Sequence, residues 1–363
     1  MQLTSSPLKT ALIRDPWWML AILPVGQALL VILRALTGKD TVDPTTFVHY
    51  LGSDATSLGA LLNPNAVTAT LWAALTALAL FTVIRTVSPS RVAAFALTSL
   101  WVVSPLAWEA FRPGSPYALN PLVGIAIVVV AQRCIAGALP SYWAGIMAAI
   151  AIAVNATNVI GVFVLLGASV LALFPPFRNS AQSVFQSIRV LGMTILGAAI
   201  ALVTLSILME PDVAQRFTTR PLTLPEIAML FGLPFQGGIL SNSASGGISL
   251  AFPFHYSITV GLWWLCAAGI ITAVVVLLRE RRWNAVLCAI LAVALFGGPV
   301  AGLGLARLTH AYFGLTGLTV GSLVPMFLIA AAMIARQRVV NIVLISLTGA
   351  LFASLVIWTV VSS

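Results

Sequence analysis

Asp40 and Asp43 stand three residues apart in the first polar stretch of the chain, Leu36 to Asn65, which reads LTGKDTVDPTTFVHYLGSDATSLGALLNPN. The same stretch holds Asp54, His49 and Tyr50. A carboxylate within reach of a hydroxyl can act as a general base, and needs little beyond proximity and orientation to do so. Asp43 also has a structural role open to it. Followed by Pro44 and TTFVHYL, it reads as the N-cap of a short helix. Phe47, Tyr50 and Leu51 would share one face of that helix, which suits an amphipathic segment lying on a membrane surface. Asp40 has no such alternative, and is the first choice for a base. Asp54 is given no role. Two carboxylates are too few to build a magnesium site by themselves, so no metal site is read here and the cofactor requirement is left open.

A second group is Arg307 with His310, in GPVAGLGLARLTHAY. The glycines and Pro299 make this an irregular approach with exposed backbone. An arginine there can hold a phosphate through charge-assisted, bidentate contacts, or can instead reach up to lipid head groups. A third group lies in the long polar stretch from Glu210 to residue 254. Glu210, Asp212, Arg216 and Arg220 are spaced for local ion pairs on a helix. TLPEIAMLFGLPF has the pattern of an amphipathic or re-entrant helix, and AFPFHY leads back into an apolar run with His255 and Tyr256. This stretch reads as a lid, an acceptor groove or a plain surface loop. Glu109 beside Trp108, with Arg112 three residues on, completes the set. His49, Glu109, Arg220, His255 and Tyr256 are candidate lining residues of a substrate cavity.

The elements that would position these groups follow from composition. The chain is 60% hydrophobic and 7% charged, with a mean hydropathy of +1.06. Soluble domains carry about 25% charged residues, so the expectation is an all-α, polytopic membrane protein forming one transmembrane domain over residues 1–363. Apolar runs of about 20 residues match a hydrocarbon core roughly 30 Å thick. The net charge of +9 comes from basic residues scattered singly between runs, which points to orientation in a membrane and not to nucleic acid. Cys134, Cys266 and Cys288 have neither CxxC nor zinc spacing and read as packing residues. The N-terminal segment leads into a full-length run and does not resemble a cleaved signal peptide.

The spans are expected at about Trp17 to Leu36, Ala66 to Ile84, from after the RTVSPSR link that carries Arg85 and Arg91 to about Trp108, and Ala118 to Ala131. Later ones are expected at Val190 to Met209, His255 to Leu278, Asn284 to Leu303, Ala311 to Ala335 and Val339 to Val361. Trp17 and Trp18 suit an interfacial belt. Tyr142 to Phe174 is too long for one span and short for two, with Asn155 and Asn158 in its middle. Two short helices turning at VNATN are predicted, their amides satisfying backbone where the helices end. With the N-terminus cytoplasmic, this hairpin gives about 11 crossings and puts the 279–282 basic cluster inside. Arg34, Lys39, Arg112, Arg216, Arg220 and Arg307 are then the basic residues left outside, together with every carboxylate except Asp15 and Glu280. No internal repeat is evident, which speaks against transporters built from repeated halves.

This layout resembles the GT-C superfamily of polyprenyl-phosphate-sugar-dependent membrane glycosyltransferases. The likeness rests on GKDTVDPTTFVHYLGSD after the first span, and on SPLAWEAFRPGSPYALNPLVGIAIVVVAQR followed by a broken helical hairpin. The resemblance implies a catalytic carboxylate at Asp40, or second at Asp43, in an outer loop with an interfacial helix. It also implies a lipid-phosphate contact at Arg307, with His310 beside it. The implied partners are membrane lipid, a polyprenyl-phosphate-linked sugar and an outer-face glycan or lipid acceptor. Departures from the pattern are also read: the C-terminal extracytoplasmic domain of many such proteins is not expected here, and no acidic pair sits directly together after the first span. A transporter or flippase of a lipid-linked substrate, and a non-catalytic subunit of envelope assembly, are the alternative functions. Few polar residues lie within the spans, which weighs against ion-coupled transport.

Overall fold

The structure, a computed structural model, describes residues 17–36, 58–88, 90–102, 107, 110–111, 113–115, 117–155, 158–175 and 183–208, with positions 328, 329, 332, 342 and 346. Among the described residues the protein is all helical, with no strand. Its helices are α1 (Trp17–Leu36), α2 (Leu58–Leu61), α3 (Ala66–Val87), α4 (Arg91–Val102), α5 (Asn120–Ile135), α6 (Tyr142–Val154), α7 (Val159–Leu171) and α8 (Val184–Leu208). Two of them, α3 and α8, are long and apolar enough to cross a membrane. At 1.5 Å per residue, α3 reaches about 33 Å, slightly more than a hydrocarbon core.

The 142–174 run divides as its length and its asparagines suggest. Helices α6 and α7 have 13 residues each, about 20 Å, or two thirds of a bilayer core. The start of α8 departs from expectation. The helix begins at Val184, not Val190, and takes in Arg189. Two local interactions carry it past the arginine. Ser183 Oγ accepts from Gln186 N–H at 3.1 Å, and the Arg189 guanidinium sits 4.2 Å from the centre of the Phe185 ring. Likewise α5 runs past Ala131 to Ile135. It is stopped by Gly137, whose φ of +74° closes a Schellman turn. Gly137 N–H bonds Cys134 O, and Ala138 N–H bonds Arg133 O. The C-terminal spans expected beyond residue 209 lie outside the described residues.

Helix α6 packs chiefly on α8, and α1 on α3. The face of α8 that α6 covers is narrow: Ser187, Val190, Thr194, Gly197 and Ala201 are its buried positions at three- and four-residue spacing. Opposite them α6 buries Ala144, Gly145, Ala148 and Ala151. Small residues on both sides let the backbones touch, as is common between helices in lipid, where burial of apolar side chains gives no drive. The remaining faces of α8 are exposed and apolar, with Ile195, Ile200, Val203 and Ile207 all more than half exposed. A stripe of Trp18, Ile22, Val25, Leu29, Leu33 and Leu36 does the same on α1. Surfaces of this kind are uncommon on proteins bathed in water and fit a lipid-facing wall.

Short connections and hydrogen bonds sort the bundle into two ends. Only residues 88–90 separate α3 from α4, and Gln186 Nε2 donates to Cys134 O at 3.0 Å, tying the start of α8 to the end of α5. Arg85 and Arg91 flank the first junction and Arg133 and Arg189 the second. Because Asn63 and Ser115, ahead of α3 and α5, are hydrogen-bonded to each other, the far ends of those helices and the four arginines are assigned to one end. Arg85 is buried there and donates from Nη1 to Ser88 O at 2.9 Å. Cys134 is buried near the end of α5, its thiol 3.4 Å from Pro140 O, in keeping with the packing role read from its lack of CxxC or zinc spacing.

Candidate functional site

The opposite end is rich in asparagine. Its outermost layer is the return of the opening loop. Asn65 caps α3 by accepting from Thr68 N–H at 3.0 Å, and Thr68 Oγ1 accepts from Asn65 N–H at 3.3 Å. This reciprocal pair satisfies two helix-terminal donors. Two residues earlier, Asn63 is fully buried and works in the other direction, across the fold. Its Nδ2 donates to Ser115 O at 3.1 Å, and its backbone carbonyl accepts from Gly114 N–H at 2.7 Å. Gly114 has φ of +80°, a conformation that glycine adopts without steric cost and that aims its N–H at Asn63. Trp72 Nε1 donates to Leu62 O at 2.9 Å. The loop that leaves α1 at Leu36 is thus fastened, on its return, to the 113–117 turn.

The residues flanking the 113–115 turn in sequence include two buried aromatics, Phe111 and Tyr117. Trp101 and Phe111 meet edge to face at 6.0 Å, with Tyr117 fully buried alongside in the core. Two further asparagines are buried and paired with each other. Asn158, just ahead of α7, donates from Nδ2 to Asn120 Oδ1 at 3.0 Å and to Ala151 O at 3.1 Å. The bond to Ala151 satisfies a carbonyl in the last turn of α6, as expected for amides at a helix break. The bond to Asn120, which ties the hairpin to the start of α5, was not expected. Asn155 is also buried, and its N–H bonds Ala151 O at 3.2 Å. Asn120 and Asn158 are both fully enclosed, and among the described residues Asn120 Nδ2 and Asn158 Oδ1 have no hydrogen-bond partner.

Asp40, Asp43, His49, Glu109, Arg220, His255, Tyr256, Arg307 and His310 all lie outside the described residues. So do Cys266 and Cys288. Among the described residues no three of His, Cys, Asp and Glu come together in a way that could hold a metal ion.

The asparagines that organise this end carry a signal that hydropathy alone passes over. Leu-Asn-Pro occurs at 62–64 and again at 119–121, each time at the entry to a helix. Proline with its preceding residue marks such an entry. Taking Asn120 as the interior of an apolar run starting at Ala118 hid it.

Comparison of the chain with family models, with curated proteins and with solved structures finds no match.

Proposed function

We propose that this is a membrane glycosyltransferase that moves a sugar from a polyprenyl-phosphate carrier to an acceptor hydroxyl at the extracytoplasmic face. The observation that supports the reading best is the latch of Asn63 on Gly114 and Ser115. It ties the loop bearing Asp40 and Asp43 to the turn that follows Glu109 and Arg112, at the end of the bundle opposite Arg85, Arg91, Arg133 and Arg189. Clustered basic residues favour the cytoplasmic side, so the latched end is read as extracytoplasmic. Asp40 takes the proton from the acceptor hydroxyl as its oxygen bonds to the sugar's anomeric carbon. The bond from that carbon to the carrier phosphate breaks, and Arg307, with His310, stabilises the charge that develops on the departing phosphate.

Full-length protein in proteoliposomes, given polyprenyl-phosphate carrying a radiolabelled hexose and a membrane-derived glycan acceptor, is expected to transfer label to the acceptor. Label that stays on the carrier across a panel of hexoses and acceptors contradicts the reading.

One observation favours a second function, translocation of a lipid-linked substrate. Helices α6 and α7 are each too short to cross a bilayer, and they break at buried asparagines. Half-helices meeting at mid-depth line the substrate sites of many transporters. Flip of a fluorescent polyprenyl-phosphate sugar in the same vesicles, without transfer to acceptor, is the result that selects it.

A further inference from the structure

We infer that the Asn120–Asn158 pair is a recognition site for a single hydroxyl group, set between the start of α5 and the tip of the α6–α7 hairpin. The side-chain orientations are fixed by their surroundings. Asn158 places its NH2 on two acceptors at once, Asn120 Oδ1 and Ala151 O. Turning Asn158 over would set its Oδ1 against the Ala151 carbonyl, oxygen to oxygen, so the amide stays as it is. That orientation leaves two unused groups on the one bonded pair, the Asn120 Nδ2 donor and the Asn158 Oδ1 acceptor. Each is enclosed, where a lone polar group is costly.

The ligand chemistry follows from the pairing of one donor with one acceptor. A hydroxyl satisfies both, its oxygen accepting from Asn120 Nδ2 and its hydrogen going to Asn158 Oδ1. A phosphate or carboxylate would satisfy Asn120 but set a negative oxygen against Asn158 Oδ1. An ammonium would satisfy Asn158 and repel Asn120. The starts of α5 and α7 come together here, and their partial positive charge favours the oxygen end of the hydroxyl. The hydroxyl has two sources, an internal water or one hydroxyl of a sugar or polyol ligand. The site does not rest on the transferase reading, because a translocated sugar would offer the same group, and its test uses no activity.

The test is made on full-length protein purified in a phosphocholine detergent, which has no sugar head group. Methyl α-D-glucoside at about ten times its Kd is expected to raise Tm by roughly 3 °C. The fully O-methylated sugar, which keeps acceptors but has no hydroxyl to donate, is expected to leave Tm unchanged. Asn120→Leu is expected to abolish the shift; where that variant does not fold, Asn120→Ala serves. This pattern assigns the hydroxyl to a ligand. With no shift in the wild type, an ordered water within about 3.2 Å of both Asn120 Nδ2 and Asn158 Oδ1 in a high-resolution structure supports the site and assigns it to water. An equal shift with the O-methylated sugar or in the Asn120 variant overturns the inference. So does a site that holds no water and gives no shift.

Discussion

Asp40→Asn in the full-length protein is expected to lower sugar transfer by roughly 10²–10⁴-fold, the range typical of losing a general base, while the protein still reaches the membrane at normal levels. Asparagine keeps the size and polarity of aspartate but cannot take a proton. Asp43 supplies the internal control. As an N-cap, asparagine serves about as well as aspartate, so Asp43→Asn is expected to leave both folding and transfer intact. The comparison is informative because carboxylates are scarce, nine in 363 residues. Transfer measured in membranes from cells expressing each variant decides it. Loss in Asp43→Asn with activity retained in Asp40→Asn moves the base to Asp43. Full activity in both removes the opening loop from the chemistry.

Gly197→Val is expected to cost about 3 kcal/mol or more, the upper range for overpacking, and to shift the full-length protein toward aggregation on heating in detergent. A Cβ on Gly197 would run into the backbone carbonyl of Gly145, and a Cβ on Gly145 would come within 2.6 Å of Met193 O. Both obstacles are backbone, so relief requires α6 and α8 to separate and give up contacts along the whole Ala144–Ala151 face. Gly192 lies on the same helix with nothing within 4 Å of its added Cβ. Gly192→Ala is therefore expected to be neutral or slightly stabilising, since alanine is the better helix former by about 1 kcal/mol. Fluorescence-detected gel filtration after a temperature ramp separates the two. Equal melting of Gly197→Val and wild type would mean that the α6–α8 seam is not closed.

The parts of the fold legible in the sequence are those set by hydropathy over a long run. The bounds of α1 match expectation at both ends, and so does the start of α3. The division of 142–174 was legible because Asn155 and Asn158 are costly in lipid unless a helix breaks there. The limits of α5 and α8 were not, because a single arginine ends an apolar run on paper but not a helix in space. Arg133 and Arg189 both sit inside their helices, held by a neighbouring turn and by an aromatic ring. Pairing across the fold was less legible still. Asn63 with Ser115 and Asn120 with Asn158 are separated by 52 and 38 residues, and nothing in local spacing joins them. The seam of α6 with α8 was hidden for a related reason, since glycine and alanine on an apolar helix look alike whether they face lipid or another backbone.

Everything proposed for Asp40 depends on the latched, asparagine-rich end facing out of the cell and the arginine end facing in. Labelling with a membrane-impermeant maleimide on intact cells tests this most directly. In a background with Cys134, Cys266 and Cys288 replaced by alanine, one new cysteine is placed at Leu61, which is 64% exposed at the latched end, and another at Ala138, exposed in the α5–α6 turn. Leu61→Cys is expected to react on intact cells, and Ala138→Cys only after permeabilisation. The reverse pattern would place the opening loop in the cytoplasm and contradict an extracytoplasmic site built on Asp40.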